Sequence, residues 1–465
     1  MSKKRRSRLP SEIIQVTIEK LSHDGKGIAY HNDKTIFISD ALPGEVVNIK
    51  FTAKSKGVYS AEVIDLIEAS ADRINAPCEF YQRCGGCSLQ HLANDKQIEI
   101  KQDLFVQTMK HIGKVDVNEL ISPITGNSLA YRTKTRLGVR FVVKKNKLLI
   151  GFREKHSNFL CDINSCLVLH PSIGQRLDSF AQLISSLEAK TKIPQIEVAI
   201  GEENWAVIVR HLENLSQDDL TKLTLFAQQK GFHLLLQPGG PDTIHYIYPI
   251  ELSINDVFSS SHKNELALSY YLPEFNIKNY FLPTDFTQVN RIINRQMIHL
   301  ALELLDLNKN DKVLDLFCGM GNFSLPLAQK VASVTGVEGN KDLVIRATQN
   351  AQENVCDNVN FYCADLFKLS GKDDFRQQQW AKQSYDKILI DPARSGAMEI
   401  MQNIELFGAK VIVYVSCNPA TLARDTEILV HEKAYQLIKA GVMDMFPHTA
   451  HVESIALFHH KSYSK

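Results

Sequence analysis

The sequence of 465 residues predicts an α/β protein: a doubly wound parallel sheet in the C-terminal half, preceded by a small β-barrel and an α+β segment. Three observations lead to this prediction. After residue 283, buried β-branched runs alternate with helical periods. Residues 12–68 hold short, evenly spaced β-rich runs between turn residues. Residues 76–282 mix strand-like and helix-like patterns without an internal repeat.

The composition is that of a soluble globular protein, with 44% hydrophobic and 23% charged residues and no apolar run that approaches a membrane span. The start is basic but lacks the apolar segment of a secretory signal. The nine cysteines are therefore expected in a reducing cytosol, where metal binding or chemistry is commoner than disulfide formation. We expect a cytoplasmic protein without membrane contact, and no pattern demands more than a monomer.

A net charge of +1 conceals two basic clusters. One lies at the N-terminus and the other between residues 132 and 155; their members are Lys3, Lys4, Arg5, Arg6, Arg8, Arg132, Lys134, Arg136, Arg140, Lys144, Lys145, Lys147, Arg153 and Lys155. Such clusters suit a polyanion such as RNA. The alternative, a disordered start and a solvated strand face, stays open at this point.

The predicted barrel comes first along the chain. Its β-rich runs (IIQVTIEKL, KTIFISD, VVNIKFTAK and YSAEVIDLIE) are separated by turn signals at Asp24-Gly25 and Pro43-Gly44. Small barrels of the OB type bind single-stranded nucleic acid in a basic groove. This segment is therefore a candidate RNA-binding module.

A cysteine-rich segment, PCEFYQRCGGCSLQH, follows the barrel. Cys78, Cys84 and Cys87 fall within ten residues, which packing alone explains poorly. A fourth ligand would come from FLCDINSCLVLHP, which offers Cys161 and Cys166. A trio with one distant cysteine is more typical of a [4Fe-4S] cluster, whereas zinc sites use two close pairs, so zinc stays open as the second interpretation.

The C-terminal half begins with FTQVNRIINRQMIHLALELLDL, which we expect to form one amphipathic helix. The strand VLDLF, the turn CGMGN and the helix FSLPLAQ follow, and small residues in such a turn let a ligand approach the backbone. Glu338 and Asp365 follow the next two predicted strands. A carboxylate there can accept ribose hydroxyls, so the pattern predicts a nucleoside-type ligand.

Two further strands deliver Asp391 and Cys417. Asp391 follows YDKILI, and Cys417 follows an apolar run from Val411 to Val415 that is typical of a strand buried on both faces. Open parallel sheets react at the carboxyl ends of their strands, which places Cys417 as a nucleophile. A buried structural cysteine is the alternative for this residue taken alone.

Longer motifs add a family resemblance. DLFCGMG resembles motif I of S-adenosylmethionine methyltransferases, and residues 21–45 resemble the TRAM domain, an OB-like RNA-binding barrel. IDPARSG, YVSCNPATLARD and HTAHVESIALF resemble the signature motifs of the RumA/TrmA family of RNA uracil-C5 methyltransferases. The resemblance implies a class I, Rossmann-like methyltransferase domain, an N-terminal TRAM barrel and an α+β central domain that carries a [4Fe-4S] cluster.

The resemblance also implies roles for individual residues. Cys417 matches the family nucleophile and Glu453 its base. Positions that match contacts to S-adenosylmethionine are Gln288, Phe317, Asn322, Glu338, Asp365 and Asp391, and those that match cluster ligands are Cys78, Cys84, Cys87 and Cys166. Cys161 matches none and is expected to be an ordinary thiol. The family's DPPR motif is altered here to Asp391-Pro392-Ala393-Arg394, which puts the stiffness of the loop in question but keeps the carboxylate.

The expected domains are the TRAM barrel (residues 11–69), a central iron–sulfur and RNA-binding domain (76–92 and 126–283), a connecting helix that packs on the catalytic domain (93–125) and the methyltransferase domain (284–465). The barrel and the cluster together point to the branch of the family that acts on large-subunit ribosomal RNA.

We therefore expect an enzyme that uses S-adenosylmethionine to methylate C5 of one uridine in 23S ribosomal RNA, met as free RNA or in an assembly intermediate. The same chemistry on another ribosomal or transfer RNA uridine is the first alternative. A cluster-bearing RNA-binding protein without catalysis is the second. Cytosine-C5 methylation is disfavoured, because those enzymes place a cysteine where this chain has Ala393.

Overall fold

The computed structural model describes residues 9–55, 57–369 and 371–463. The basic cluster predicted at the N-terminus, from Lys3 to Arg8, lies outside the described residues. No helix in the described part of the chain combines the length and the apolar character that crossing a membrane requires.

The N-terminal segment folds into one sheet, as the short β-rich runs predict. Its strands are β1 (Ile14–Thr17), β2 (Lys20–Leu21), β3 (Gly27–His31), β4 (Lys34–Ser39), β5 (Val46–Ser55) and β6 (Val58–Glu68). They lie in the order β1-β5-β6-β4-β3-β2, and β4 and β6 are parallel. Fully buried Glu45 closes one end, because Arg73 donates to its carboxylate and the Leu42 amide donates to Oε2 at 2.8 Å.

The cysteine-rich segment leads into helix α1 (Asn94–His111). The helix ends two residues before Gly113, the stop expected from the sequence. Lys101 of α1 is buried, and its Nζ donates to Asp444 Oδ1 at 2.7 Å. An ion pair held in the interior is costly to break on one side only, so this contact fixes α1 against the C-terminal half of the chain.

The middle of the chain forms a mixed sheet flanked by helices. Its elements are β7 (Lys134–Val142), β8 (Lys147–Gly151), α2 (Pro171–Gly174), α3 (Leu177–Ser185), β9 (Gln195–Ile200), β10 (Trp205–Arg210), α4 (Gln217–Lys230), β11 (His233–Gln237), β12 (His245–Tyr248), β13 (Leu252–Ser253) and α5 (Lys263–Leu266), followed by the hairpin β14 (Leu268–Leu272) and β15 (Ile277–Phe281). The sheet order is β13-β12-β11-β10-β9-β7-β8. Apolar side chains between this sheet, α3 and α4 form its core.

The C-terminal half is the predicted doubly wound sheet. Its elements are α6 (Arg291–Leu305), β16 (Lys312–Leu316), α7 (Ser324–Ala328), β17 (Ser333–Glu338), α8 (Lys341–Glu353), β18 (Val359–Cys363), α9 (Lys372–Gln377), β19 (Lys387–Ile390), α10 (Met398–Gln402), β20 (Val411–Ser416), α11 (Pro419–His431), β21 (Tyr435–Met443) and β22 (Glu453–His460). The order is β18-β17-β16-β19-β20-β22-β21. The first five strands in this order are parallel, whereas β22 is antiparallel to both β20 and β21.

The helix predicted from Phe286 is shorter than expected, since α6 begins at Arg291. The Asn290 side chain caps it by accepting a hydrogen bond from the Ile293 amide at 3.4 Å. Residues 286–289 therefore lie outside the helix, and Phe286, Thr287 and Gln288 line the cavity described below. The domain bounds given above stay predictions, although each sheet falls inside one of the proposed segments.

Candidate active site

A cavity of about 530 Å³ opens at the carboxyl edge of the C-terminal sheet. It brings together the predicted catalytic and methyl-donor residues, which are Gln288, Phe317, Asn322, Glu338, Asp365, Asp391, Cys417 and Glu453. Their convergence follows from the strand order: β16, β19 and β20 are neighbours whose parallel carboxyl ends share one edge.

Glu453 reaches the same edge because its strand runs the other way. In the antiparallel register of β20 and β22, Ser416 pairs with Ser454, and the Ser454 hydroxyl donates to the Ser416 carbonyl at 3.2 Å. Cys417 follows Ser416 and Glu453 precedes Ser454, so both lie one residue beyond this pair on the same side. The last residue pair between β20 and β22 therefore brings the Glu453 carboxyl group next to the Cys417 thiol.

Cys417 sits between the fully buried strand β20 and helix α11. The next residue, Asn418, caps α11 by accepting from the Ala420 amide at 3.1 Å, and its Nδ2 donates to the Arg394 carbonyl at 3.0 Å. This amide therefore joins the loops that follow β19 and β20. Burial and then the negative charges of Glu453 and Asp391 raise the pKa of the Cys417 thiol to about 11.

The two carboxyl groups beside the thiol are also perturbed. Desolvation raises the pKa of Asp391 to about 7, and desolvation followed by the charge of Asp391 raises that of Glu453 to about 8. Arg394 opposes the shift at Glu453. At neutral pH these groups are therefore poised between acid and base forms, the condition that favours proton transfer.

The far end of the cavity has the features of a nucleoside site. Phe317 follows β16 with φ of +63°, and its ring lies 5.4 Å from the ring of Phe367. A non-glycine residue in this left-handed region costs about 1–3 kcal/mol and persists where the surroundings hold it. Glu338 Oε2 accepts from the Gly319 amide at 3.1 Å, which ties the glycine turn to the neighbouring strand.

Asn322 is the best-oriented polar group at this end. Its Oδ1 accepts from the Tyr270 hydroxyl at 2.8 Å and from Asn294 Nδ2 at 3.1 Å, and its Nδ2 donates to Asn294 Oδ1 at 2.9 Å. Asp365, in contrast, is exposed and pairs with Lys368 at 2.9 Å. The amide is therefore held by the protein, whereas the Asp365 carboxylate is open to solvent.

Several residues that line the cavity had not been singled out from the sequence. These are Tyr270, Phe286, Leu343, Phe367, Phe446 and His451. Phe286 is 71% exposed, which is unusual for a ring of this size. Reading Asn290 as the helix cap would have indicated it, because Phe286 and Gln288 then fall in the same segment before the helix. His451 stands in the HTAHVES motif and lies 3.0 Å from Arg394 Nη2 through Nδ1.

The predicted cluster ligands meet at a second cavity, which Cys78, Cys84, Cys87 and Cys166 all line. Burial raises the pKa of each thiol, to about 12 for Cys87 and about 11 for Cys166, and charge on the neighbouring cysteines adds to the shift at these two. Within the described residues, no three His, Cys, Asp or Glu side chains lie close enough to hold a single metal ion.

Cys161 does not line this cavity, although its thiol lies beside that of Cys84, and burial followed by the charge of Cys84 raises its pKa to about 11. It is 1% exposed and packs in the apolar core of the middle sheet. Its amide donates to the Phe152 carbonyl at 2.8 Å.

Family models match two parts of the chain. Residues 8–64 match the TRAM domain, and residues 273–461 match the tRNA (Uracil-5-)-methyltransferase family. Among solved structures, the Pyrococcus abyssi tRNA (uracil-54, C5)-methyltransferase in complex with S-adenosyl-L-homocysteine superposes with a TM-score of 0.70 at 23% identity, covering 96% of this chain and 99% of that one. This similarity supports the fold.

Curated relatives match over nearly the full length. The 23S rRNA (uracil(1939)-C(5))-methyltransferase RlmD of Francisella tularensis subsp. novicida is 47% identical, covering 97% of this chain and 98% of the relative. The enzyme of the same name from Methylococcus capsulatus is 46% identical, covering 98% of each chain. With the TRAM domain and the methyltransferase fold both present, the chain belongs to the family of RNA uracil-C5 methyltransferases that includes these RlmD enzymes.

Proposed function

We propose that this enzyme transfers a methyl group from S-adenosylmethionine to C5 of one uridine in 23S ribosomal RNA, the counterpart of the uracil in its relatives' names. The observation that carries the proposal is the meeting of Cys417, Asp391 and Glu453 beside a nucleoside-sized space in one cavity. A cytoplasmic monomer acting on free RNA or an assembly intermediate fits this activity.

The chemistry requires a nucleophile because C5 of uracil is too electron-poor to attack a methyl group unaided. Addition of the Cys417 thiolate to C6 converts the ring into an enolate whose C5 is nucleophilic. The thiol is neutral in the free cavity, because its pKa of about 11 lies well above neutrality. Transfer of its proton to the neighbouring Asp391 carboxylate would supply the thiolate without exposing the site to water, and it leaves Glu453 ionised for the later removal of the C5 proton.

Methyl transfer follows between two substrates in one cavity. The C5 carbanion attacks the methyl group of the sulfonium, the methyl–sulfur bond breaks, and its electron pair leaves with S-adenosylhomocysteine. Gln288, Phe317, Asn322, Glu338 and Asp365 line the part of the cavity that would hold the donor. Phe317 and Phe367 offer apolar faces to an adenine, and the oriented Asn322 amide offers a fixed polar contact.

Release of the product requires a base. After transfer, C5 carries both the new methyl group and its original hydrogen, and the Cys417 bond to C6 cannot break until that proton leaves. Glu453 is suited to accept it, since it is buried beside the thiol and its pKa of about 8 makes its carboxylate a stronger base than an ordinary glutamate. Electrons of the C5–H bond then form the C5–C6 double bond and expel the thiolate.

RNA recognition is assigned to the N-terminal sheet and the basic strand region. Arg136 and Arg140 of β7 are exposed, as are Lys144, Lys145 and Lys147 in the hairpin that follows. Lys134 is an exception within the predicted cluster, because it is half-buried and donates to the Asp285 carbonyl. The exposed positions support phosphate binding, while Lys134 instead fixes the segment that leads to Phe286.

The direct test incubates anaerobically purified enzyme with labelled S-adenosylmethionine and unmodified 23S ribosomal RNA, then maps the label by nuclease digestion and mass spectrometry. We expect 5-methyluridine at one site, and loss of labelling by about 1000-fold or more in Cys417→Ala. Label in transfer RNA alone would keep the chemistry and overturn the substrate. No label in either RNA would support the binding-protein alternative.

Replacing Glu453 by Gln should trap the methylated intermediate. Addition and methyl transfer can still occur, but proton removal from C5 is blocked, so the thioether to Cys417 persists. Denaturing gels with labelled RNA should show a protein–RNA adduct that Cys417→Ala cannot form. Rapid turnover by Glu453→Gln without an adduct would contradict the role of Glu453 as the base.

The rate of 5-methyluridine release should rise with pH from about 7, reach half its maximum near pH 8 and level above about pH 9, because the carboxylate form of Glu453 increases through its raised pKa. Removing the nearby negative charge in Asp391→Asn should lower the pKa of Glu453 and move the midpoint of the rise to lower pH. The midpoint is measured from single-turnover rates at saturating substrates. A flat profile in the wild type would contradict the pKa of about 8.

We also propose that Cys78, Cys84, Cys87 and Cys166 hold a [4Fe-4S] cluster. Four half-buried thiols with raised pKa values are hard to ionise together unless a cationic group compensates them, and an iron–sulfur core would supply that charge. All four line one cavity, as a shared cluster requires. We expect the cluster to be structural, because no residue lines both this cavity and that of Cys417.

Cys84→Ser should lose iron and acid-labile sulfide and lower the melting temperature, since a ligand of the cluster is removed. Cys161→Ser is the control for a neighbouring thiol that is not a ligand: Cys161 lies beside Cys84 but does not line the cavity, so this variant should retain iron. Both contents are measured on anaerobically purified protein. Stoichiometric zinc in the wild type, or full iron content in Cys84→Ser, would contradict the assignment.

A further inference from the structure

The loop between β21 and β22, residues 444–452, walls one side of the active-site cavity. Phe446 and His451 line that wall, and Glu453 follows the loop directly. The loop contains neither helix nor strand, and its own hydrogen bonds join Thr449 to the Phe446 carbonyl through the amide at 3.3 Å and the hydroxyl at 2.9 Å. Contacts from elsewhere in the chain hold this turn against the rest of the protein.

His448 is the strained point of this loop. Its φ of +65° lies in the left-handed region, which residues other than glycine seldom occupy, and it is 2% exposed. Such a conformation persists only where the surroundings hold it. The contacts of His448 thus show what determines the path of the loop.

One buried side chain, Gln97 of α1, makes several of these contacts. Its Oε1 accepts from the His448 amide at 2.8 Å, and its Nε2 lies 3.2 Å from His448 Nδ1. The same Nε2 donates to the carbonyls of Leu92 at 2.8 Å and Leu89 at 3.1 Å. These hydrogen bonds of Gln97 therefore join the turn at His448 to Leu89 and Leu92, at the end of the cysteine-rich segment.

The backbone of the cysteine-rich segment also forms hydrogen bonds to this turn. The amides of Ser88 and Leu89 both donate to the His448 carbonyl, at 2.9 and 3.0 Å. Ser88 Oγ accepts from the Ala450 amide at 3.1 Å. The turn between β2 and β3 packs against the same loop, because a Cβ at Gly25 would lie 3.2 Å from Ala450 Cβ.

We propose that Gln97 is a positioning residue for the uracil half of the reaction: it holds the β21–β22 loop so that His451 and Glu453 face Cys417. The inference rests on the proposed function. The donor half of the cavity is built from other elements, with Phe317 after β16 and Glu338 at the end of β17. Loss of Gln97 should therefore affect steps at uracil and leave donor binding intact.

The test compares Gln97→Leu with the wild type in single turnovers at saturating RNA and S-adenosylmethionine. Leu keeps most of the volume but offers no hydrogen bond to His448. We expect the rate of 5-methyluridine release to fall by about ten- to hundredfold, with S-adenosylhomocysteine affinity within about twofold of the wild type. Gln97→Glu, which keeps an acceptor for the His448 amide, should lie between the two.

Phe105→Leu is the matched control, because it alters another fully buried residue of α1 that packs in the apolar core. If its melting temperature falls by as much as that of Gln97→Leu, Phe105→Leu should still release 5-methyluridine at the wild-type rate. Equal rate losses in Phe105→Leu and Gln97→Leu, parallel loss of S-adenosylhomocysteine binding, or an unchanged rate in Gln97→Leu would each overturn the proposal.

If Gln97→Leu does not fold, Gln97→Glu gives the decision, since it keeps the acceptor for the His448 amide but loses the amide donor to the Leu89 and Leu92 carbonyls. A reduced rate with unchanged S-adenosylhomocysteine affinity supports the proposal, and a wild-type rate overturns it. Failure of the proposed function would look different: the wild type itself would then form no 5-methyluridine.

Discussion

The structure depends on one constraint, the burial of a thiol and two carboxyl groups at a single edge of the sheet. Antiparallel β22 beside β20 turns Glu453 toward Cys417, and β19 adds Asp391. Desolvation raises the pKa of all three groups, and the charges of neighbouring carboxylates add to the shift at Cys417 and Glu453, so each group holds its proton more tightly than it would in water. The same unfavourable burial makes Glu453 a useful base near neutral pH.

The wall of this cavity is not made by the catalytic sheet alone. Helix α1, the residues after Cys87 and the turn at Gly25 all meet the β21–β22 loop around His448. Buried Lys101 secures the start of that loop through Asp444. The N-terminal parts of the chain therefore bear on the chemistry as well as on RNA contact, since they define the shape of the site.

Much of this architecture could be predicted from local pattern. The apolar run of β20 indicated a fully buried strand, which is observed. The strand-turn-helix unit after β16 indicated a nucleoside pocket, and a cavity is found at that turn. The helix expected from Phe286 was placed too early, because apolar periodicity continues through the cap at Asn290. The His448 turn could not be predicted, because residues more than 300 positions away in sequence hold it.

The most direct test of covalent catalysis is a mechanism-based trap. A target RNA fragment with 5-fluorouridine at the methylated position is incubated with enzyme and S-adenosylmethionine, and the digested protein is analysed by mass spectrometry. Because fluorine at C5 cannot leave as a proton does, the account predicts a methylated nucleotide linked to the peptide that contains Cys417. Linkage to another residue, or no linkage while natural RNA is methylated normally, would contradict it.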